Sequence, residues 1–361
     1  MVTLSGQRAS LKCNMLPDAL SITRRKLLAI LGLLPASGWL RAQQSPGYST
    51  TVKVVNLLAI VRDKQGKLIK DLTQDDFVLD EDGLPQTIRY FSRETDLPLT
   101  LGLLVDTSGS QQSVLGEERS ASFRFLDKVM REDRDMAFLI HFDFEVEMLQ
   151  DVTQLKSDMR KAIDLLEVGM GPRRQPQGQG QGQGGPRIGG GGRRGRGGGR
   201  GQGQGGGRGG GGTALYDAVF LGADEIMKRQ HGRKALIILS DGVDHGSKLS
   251  LFQAVESAQR SDTLVYSILF DGDEGFGRIG ETDGKKVLER ISRETGGRFF
   301  QVSKRTPLDK VYQMLDEELR NQYSIGYTPE TKTASSEYRR LHLSTKQKNL
   351  IVQTREGYYP E

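Results

Sequence analysis

Four segments of this chain are apolar at almost every position: Leu99-Thr100-Leu101-Gly102-Leu103-Leu104-Val105, then 136–140, 235–239 and 264–269. A strand that alternates apolar and polar residues can leave one face in water. One that is apolar throughout must be covered on both faces. Helical stretches separate these strands, around 121–130, 155–166, 285–295 and 308–321, with a short strand at 298–302. Leu215, Ala218, Val219, Gly222 and Ile226 mark one face of a further helix. Buried strands alternating with helices predict an α/β domain from Pro98 to about Asn321, built on a mostly parallel sheet covered on both faces. A shorter strand is expected at 145–149.

The flanks read differently. In 47–97, Val52, Val54, Asn56, Leu58, Ile60 and Arg62 fall on one phase of a strand, with Val55, Leu57, Ala59 and Val61 on the other. Two further runs, 76–79 and 87–91, are separated by a stretch containing Glu81-Asp82-Gly83-Leu84-Pro85, which reads as a hairpin loop. After residue 321, β runs recur at 323–327, 338–345 and 349–354, before Gly357-Tyr358-Tyr359-Pro360. Each flank holds too few strands for a stable domain. We therefore expect 47–97 and 321–361 to pair into one small β-sandwich-like module, with the α/β domain inserted between them.

The α/β region is itself interrupted. Residues 169–212 carry 24 Gly and 8 Arg and no acidic residue, and without them the chain holds 43 basic against 46 acidic side chains. The formal charge of +5 is thus local to this insert, which removes a uniformly basic nucleic-acid binder as the default class. The insert reads as a disordered loop that cannot bury enough apolar surface to order. Its arginines could contact polyanions, but no aromatic side chain interleaves Arg193-Arg194-Gly195-Arg196-Gly197 for base stacking. The single cysteine, Cys13, excludes disulfides and Cys-ligated metal sites in any chain processed downstream of it.

At the N-terminus, Thr23-Arg24-Arg25-Lys26 precedes the apolar run Leu27-Leu28-Ala29-Ile30-Leu31-Gly32-Leu33-Leu34, followed by Pro35 and small residues to Ala42. This order is that of a secretory signal over 1–42, and its apolar core falls short of the roughly 20 residues of a membrane span. The paired arginines resemble a twin-arginine signal, although Leu27 stands where Phe is common, so the general secretory route stays open. The expected location is periplasmic or extracellular, or membrane-anchored if the signal is not cleaved.

Three separated elements bear the same kind of chemistry. Asp106-Thr107-Ser108-Gly109-Ser110 follows the first buried strand, Thr213 stands at a helix entrance, and Asp241 follows the 235–239 strand in Ser240-Asp241-Gly242. In an open parallel sheet, sites form outside the carboxyl ends of strands, so these elements can share one crevice. Two carboxylates and three hydroxyls are hard oxygen donors suited to Mg²⁺ or Mn²⁺. With at most two negative charges around it, the ion stays electrophilic and favours an acidic group from outside. The plainer reading makes Asp106 and Asp241 loop caps bonded to backbone amides.

These residues resemble the metal-ion-dependent adhesion site (MIDAS) of the von Willebrand factor type A (VWA) domains, written D-x-S-x-S, then a distant Thr, then a distant Asp. The resemblance covers about 98–320, including Gly212-Thr213-Ala214-Leu215-Tyr216-Asp217. It implies a Rossmann-like, doubly wound sheet. Asp106, Ser108, Ser110, Thr213 and Asp241 would hold the ion, and a Glu or Asp of a protein ligand would complete it. The flanks, with Asp71-Leu72-Thr73-Gln74-Asp75-Asp76-Phe77 and Gly357-Tyr358-Tyr359, resemble those of an exported bacterial group carrying this domain.

Other signals are weaker. Asp271-Gly272-Asp273-Glu274-Gly275 suggests a calcium loop, but its twelfth position is Thr282 rather than Glu. No Gly-x-Ser-x-Gly, Walker or His-Glu-x-x-His element is present. The expectation is therefore a non-enzymatic, metal-dependent protein that binds an acidic group of a protein or matrix partner. A metal-assisted hydrolase, using His245 or Asp244 to activate water, and an envelope-assembly module with a purely stabilising metal remain the alternatives.

Overall fold

The computed structural model describes residues 54–94, 97–111, 113–166, 212–270, 281–329 and 337–360. The segment 1–42 expected to be an export signal, the insert up to Gly211 and the 271–275 acidic loop lie outside the described residues. The architecture is that of the compact unit Val52–Glu361. Its first strands are β1 (Val55–Asp63), β2 (Phe77–Glu81), β3 (Leu84–Gln86) and β4 (Ile88–Glu94). The α/β region follows with β5 (Leu99–Asp106), α1 (Leu115–Val129), β6 (Met136–Phe142), β7 (Val146–Thr153) and α2 (Lys156–Asp164). Beyond the insert come α3 (Leu215–Phe220), β8 (Arg233–Leu239), α4 (Leu251–Arg260), β9 (Leu264–Phe270), α5 (Glu281–Thr295), β10 (Phe299–Val302) and α6 (Leu308–Arg320). The chain ends in β11 (Gln322–Tyr327), β12 (Arg339–Thr345), β13 (Leu350–Gln353) and β14 (Gly357–Tyr358).

The central sheet has the order β10-β9-β8-β5-β6-β7, parallel except for β7, which runs antiparallel to β6. Every residue of β5 is buried, as its unbroken apolarity requires. Its alternate side chains feed two cores. Leu101, Leu103 and Val105 join α1, α2 and α6 on one face, and Leu104 joins α3, α4 and α5 on the other. The sheet is therefore a doubly wound α/β sheet with helices on both sides. The chain leaves β5 for β6 on one side and later returns to lay β8 on the other, so the topological switch point falls at the carboxyl end of β5. Among the described residues, no helix is long and apolar enough to cross a membrane.

The flanking strands form two four-stranded sheets, β13-β1-β11-β4 and β14-β12-β2-β3. Both contribute to one apolar core containing Leu57, Val61, Phe77, Leu79, Tyr323, Ile325, Leu341 and Leu343. Phe77 meets Tyr323 edge-on with ring centroids 5.3 Å apart, and the Tyr323 hydroxyl donates to the Ile69 carbonyl at 2.9 Å. Each sheet mixes strands from before and after the α/β region, as in β1 with β11 and β2 with β12.

One local expectation is corrected. The runs near 76–79 and 87–91 do not make a hairpin with each other. Instead β2 turns through Asp82-Gly83 and pairs with β3, whereas β4 crosses to the other sheet beside β11. Asp82 and Gly83 have φ of 50° and 80°, the left-handed pair that a two-residue hairpin turn requires. The stretch read as loop is thus partly strand, and Thr87 separates the two sheets. A second difference is α4, which the sequence reading passed over. Ser250 caps it through a reciprocal box with Gln253, and Ala254, Val255 and Ala258 form its buried face.

The two layers of the molecule are joined at a buried charge cluster. Glu318 on α6 is 1% exposed and forms ion pairs with Arg62 of β1 and with Arg298, the latter at 2.6 Å. Arg355, beyond β13, forms an ion pair with Asp262 of the α/β region and donates to the Asn56 carbonyl of β1 at 2.8 Å.

Candidate metal centre

The carboxyl end of β5 delivers Asp106 into a fully buried position, 0% exposed, at the switch point. Its Oδ1 accepts the Ser108 amide at 2.9 Å and its Oδ2 accepts the Ser240 hydroxyl at 2.6 Å. The backbone then turns through Gly109–Gln111 in a short 3-10 segment, which carries Ser110 outward. Ser108 Oγ and Ser110 Oγ lie 3.0 Å apart. Ser108 is nearly buried and Ser110 is exposed, so this group of oxygens runs from the interior to the surface.

Asp241 arrives from β8, the neighbour of β5. Its Oδ1 accepts the Val243 amide at 3.0 Å. The loop is pressed against α5: a Cβ on Gly242, whose φ is 77°, would meet the Gly284 carbonyl oxygen at 2.3 Å. Only glycine meets both demands at this position. Thr213 is buried, and its carbonyl accepts the amides of both His245 and Gly246 at 3.0 Å, which ties the start of α3 to the loop that follows Asp241. The Ala214 amide donates to the Asp143 carbonyl at 2.6 Å, tying the same segment to the turn between β6 and β7.

The hydrogen bonds therefore join Asp106, Ser108 and Ser110 directly. Asp241 is close enough for its charge to act on Asp106, and Thr213 is fastened to the Asp241 loop through its backbone. Both aspartates also make the short-range bond to a downstream amide that a loop cap would make.

Burial pushes the Asp106 carboxyl up to about 6, and the nearby Asp241 charge adds to this, while the bonds from Ser108 and Ser240 pull it back. A carboxylate held dry beside a second one is costly without a compensating cation. Hard oxygens around it, two of them neutral hydroxyls 3.0 Å apart, fit a small divalent ion. Among the described residues, no three His, Cys, Asp or Glu side chains gather into a metal-ligating group. The donor set here thus depends on its hydroxyls.

Four residues near the site, Ser240, Thr107, His141 and Glu147, have no role assigned from sequence. Ser240 supports Asp106 through its hydroxyl, which in turn accepts the Gly242 amide at 2.9 Å. A Ser immediately before the second aspartate was its only signal. Thr107 Oγ1 lies 3.1 Å from His141 Nδ1, and His141 Nε2 lies 3.3 Å from Glu147 Oε2. This hydroxyl–imidazole–carboxylate line has the composition of a nucleophilic relay, but Thr107 is 0% exposed and presents no hydroxyl to a substrate. The line instead braces the loop from the β6–β7 side.

No family model matches the chain, and no curated protein does. Among solved structures it is similar to a von Willebrand factor type A protein from Catenulispora acidiphila, at 11% identity over 79% of this chain and 74% of that one, with a TM-score of 0.44. It is also similar to proximal thread matrix protein 1 from the mussel byssus, at 14% identity over 66% of this chain, TM-score 0.43. The match spans 51% of that mussel protein, which in another structure has a zinc-occupied MIDAS motif. A third is the vWF domain of the type V pili tip protein Mfa5 from Porphyromonas gingivalis, at 13% identity over 63% of this chain and 97% of that one, TM-score 0.41.

Proposed function

We propose that this chain is an exported, VWA-like binding protein that holds Mg²⁺ or Mn²⁺ with Asp106, Ser108, Ser110, Thr213 and Asp241. Through that ion it takes the carboxylate of an Asp or Glu on a partner protein or matrix component. The observation that carries this reading is the buried Asp106 carboxyl at the sheet's switch point, with the Ser108 and Ser110 hydroxyls 3.0 Å apart beside it and the charge of Asp241 acting on it. The ion would supply a Lewis-acidic centre for an incoming carboxylate. The protein's residues set its charge, shield it on the inner side and leave the Ser110 side open to solvent.

Binding is favoured over hydrolysis because Asp244, one of the two groups that could activate water, is committed elsewhere. Asp244 Oδ1 accepts the Ser247 hydroxyl at 2.5 Å and the Tyr216 amide at 3.3 Å, holding the start of α3. His141 is held between Thr107 and Glu147.

In the mature protein, Mg²⁺ or Mn²⁺ at a hundredfold excess over Kd should raise stability by about 2.7 kcal/mol, and EDTA should reverse it. Thermal melts together with isothermal titration check this. Titrations with both ions that show no uptake would remove the reading.

A further inference from the structure

One buried acid near the site is used by nothing described so far. Glu118 lies on α1 within its apolar stripe of Leu115, Ala121, Phe125, Leu126 and Val129, and is 1% exposed. Neither carboxyl oxygen has a hydrogen-bond partner. A leucine would fill this place in the helix at no electrostatic cost, whereas an unpartnered buried carboxyl is costly once ionised. Packing therefore does not account for it.

Its electrical surroundings are lopsided. Burial drives the Glu118 carboxyl well above the ordinary range, and the nearest named charges, Asp106 and then Glu117, push it the same way. Across from α1, the Tyr312 phenol of α6 bonds to Ser122 at 2.8 Å and is raised by burial, with Glu118 contributing. The charges that act on Glu118, those of Asp106 and Glu117, are both negative. A second unpartnered acceptor, Gln111 Oε1, lies just beyond Ser110 and is also buried. The interior behind the Asp106 loop thus holds a buried carboxyl and open acceptors, with the Arg119 Nε as a buried, unpartnered donor on the same helix.

We propose that Glu118 is a positioning residue of the cation site, a buried carboxyl outside the coordination sphere whose charge the bound cation balances and which tightens cation binding in return. This rests on the metal reading above. Groups behind a metal's direct ligands commonly change its affinity by about 10–100-fold when altered. Glu118 costs stability in the cation-free protein and repays it only when the ion is present.

The test uses the full mature chain, E118Q and E118D, with Mn²⁺ and Tb³⁺ as probes in isothermal titration and thermal melts. E118Q keeps the shape and removes the charge. It should weaken Mn²⁺ binding by about tenfold. Because the lost attraction scales with the ion's charge, the loss for Tb³⁺ should be larger, about thirtyfold. The cation-free E118Q protein should melt higher than wild type, and E118D should recover part of the affinity. A purely structural glutamate would instead lower the cation-free melting temperature and affect both ions equally. Equal affinities in wild type and E118Q overturn the role of Glu118 alone, whereas no cation uptake by wild type overturns the metal reading itself.

Discussion

Asp106→Asn should leave cation uptake undetectable by isothermal titration and, in the same step, make the cation-free protein more stable at neutral pH. Both effects come from burial. The unfolded chain releases the Asp106 proton near 3.8, but the folded protein holds it up to about 6. Stability from this group is therefore fully present below the unfolded value and falls as pH rises between those values. Above pH 6 the folded state carries the whole cost, about 3 kcal/mol for a shift of this size. Asparagine has no such charge to bury. The gain is at most that figure, because the Asn amide must reverse the bond from Ser240. Urea melts of both proteins in EDTA from pH 4 to 8 should converge at the acid end and separate above pH 6, with the variant ahead. If the variant is instead less stable at pH 7.5, Asp106 serves as a loop cap, and the case for a cation weakens accordingly.

The second large effect lies away from the proposed cation site. Glu318→Ala would leave the guanidinium of Arg62, 6% exposed, without its carboxylate. Burial already lowers the pKa of Arg62, and the Arg298 charge adds to that; Glu318 is the group that opposes both. Breaking a buried ion pair on one side costs about 3–5 kcal/mol. Chemical denaturation should show a loss of this size in Glu318→Ala, with much of it restored in the Arg62→Met/Glu318→Met double variant, which leaves only the partly exposed Arg298 without its carboxylate. A loss below 1 kcal/mol in the single variant would mean that water reaches the cluster.

Much of this architecture can be read from residue order, because burial on two faces leaves a pattern that one segment shows by itself. The strands from Leu99 to Phe270 are of that kind, and so is the placing of Asp106 and Asp241 at strand ends. The helix Leu251–Arg260 is harder to read: its start is marked only by Ser250 and Gln253, and its buried face mixes Ala254, Val255 and Ala258 with Ser257 and Gln259, a weak apolar signal. What could not be read depends on distant partners. Nothing local tells β4 to join β11 rather than β2, since that choice is made by residues more than 200 positions away. Glu118 is similar: one acid in a helical stripe looks like an exposed position until the helix is seen packed on the core.

The place of insertion also has a mechanical meaning. The α/β region leaves from the end of β4 and returns at the start of β11, where Glu94 stands opposite Gln322 in an antiparallel ladder. Asp106 is at the far end of the eight-residue strand β5, about 23 Å from Leu99 at an ordinary strand rise. A tether pulling at the Asp106 end while the sandwich is held would draw β4 and β11 the same way at once, so the load falls on the contacts between the α/β region and the sandwich. The clamps of Glu318 on Arg62 and of Arg355 on Asp262 and Asn56 bridge that junction and would bear the tension first. In an optical trap, the first rupture should come at lower force in Glu318→Ala than in the unaltered chain. Holding on under load would then depend on an arginine–glutamate latch well away from the gripping end.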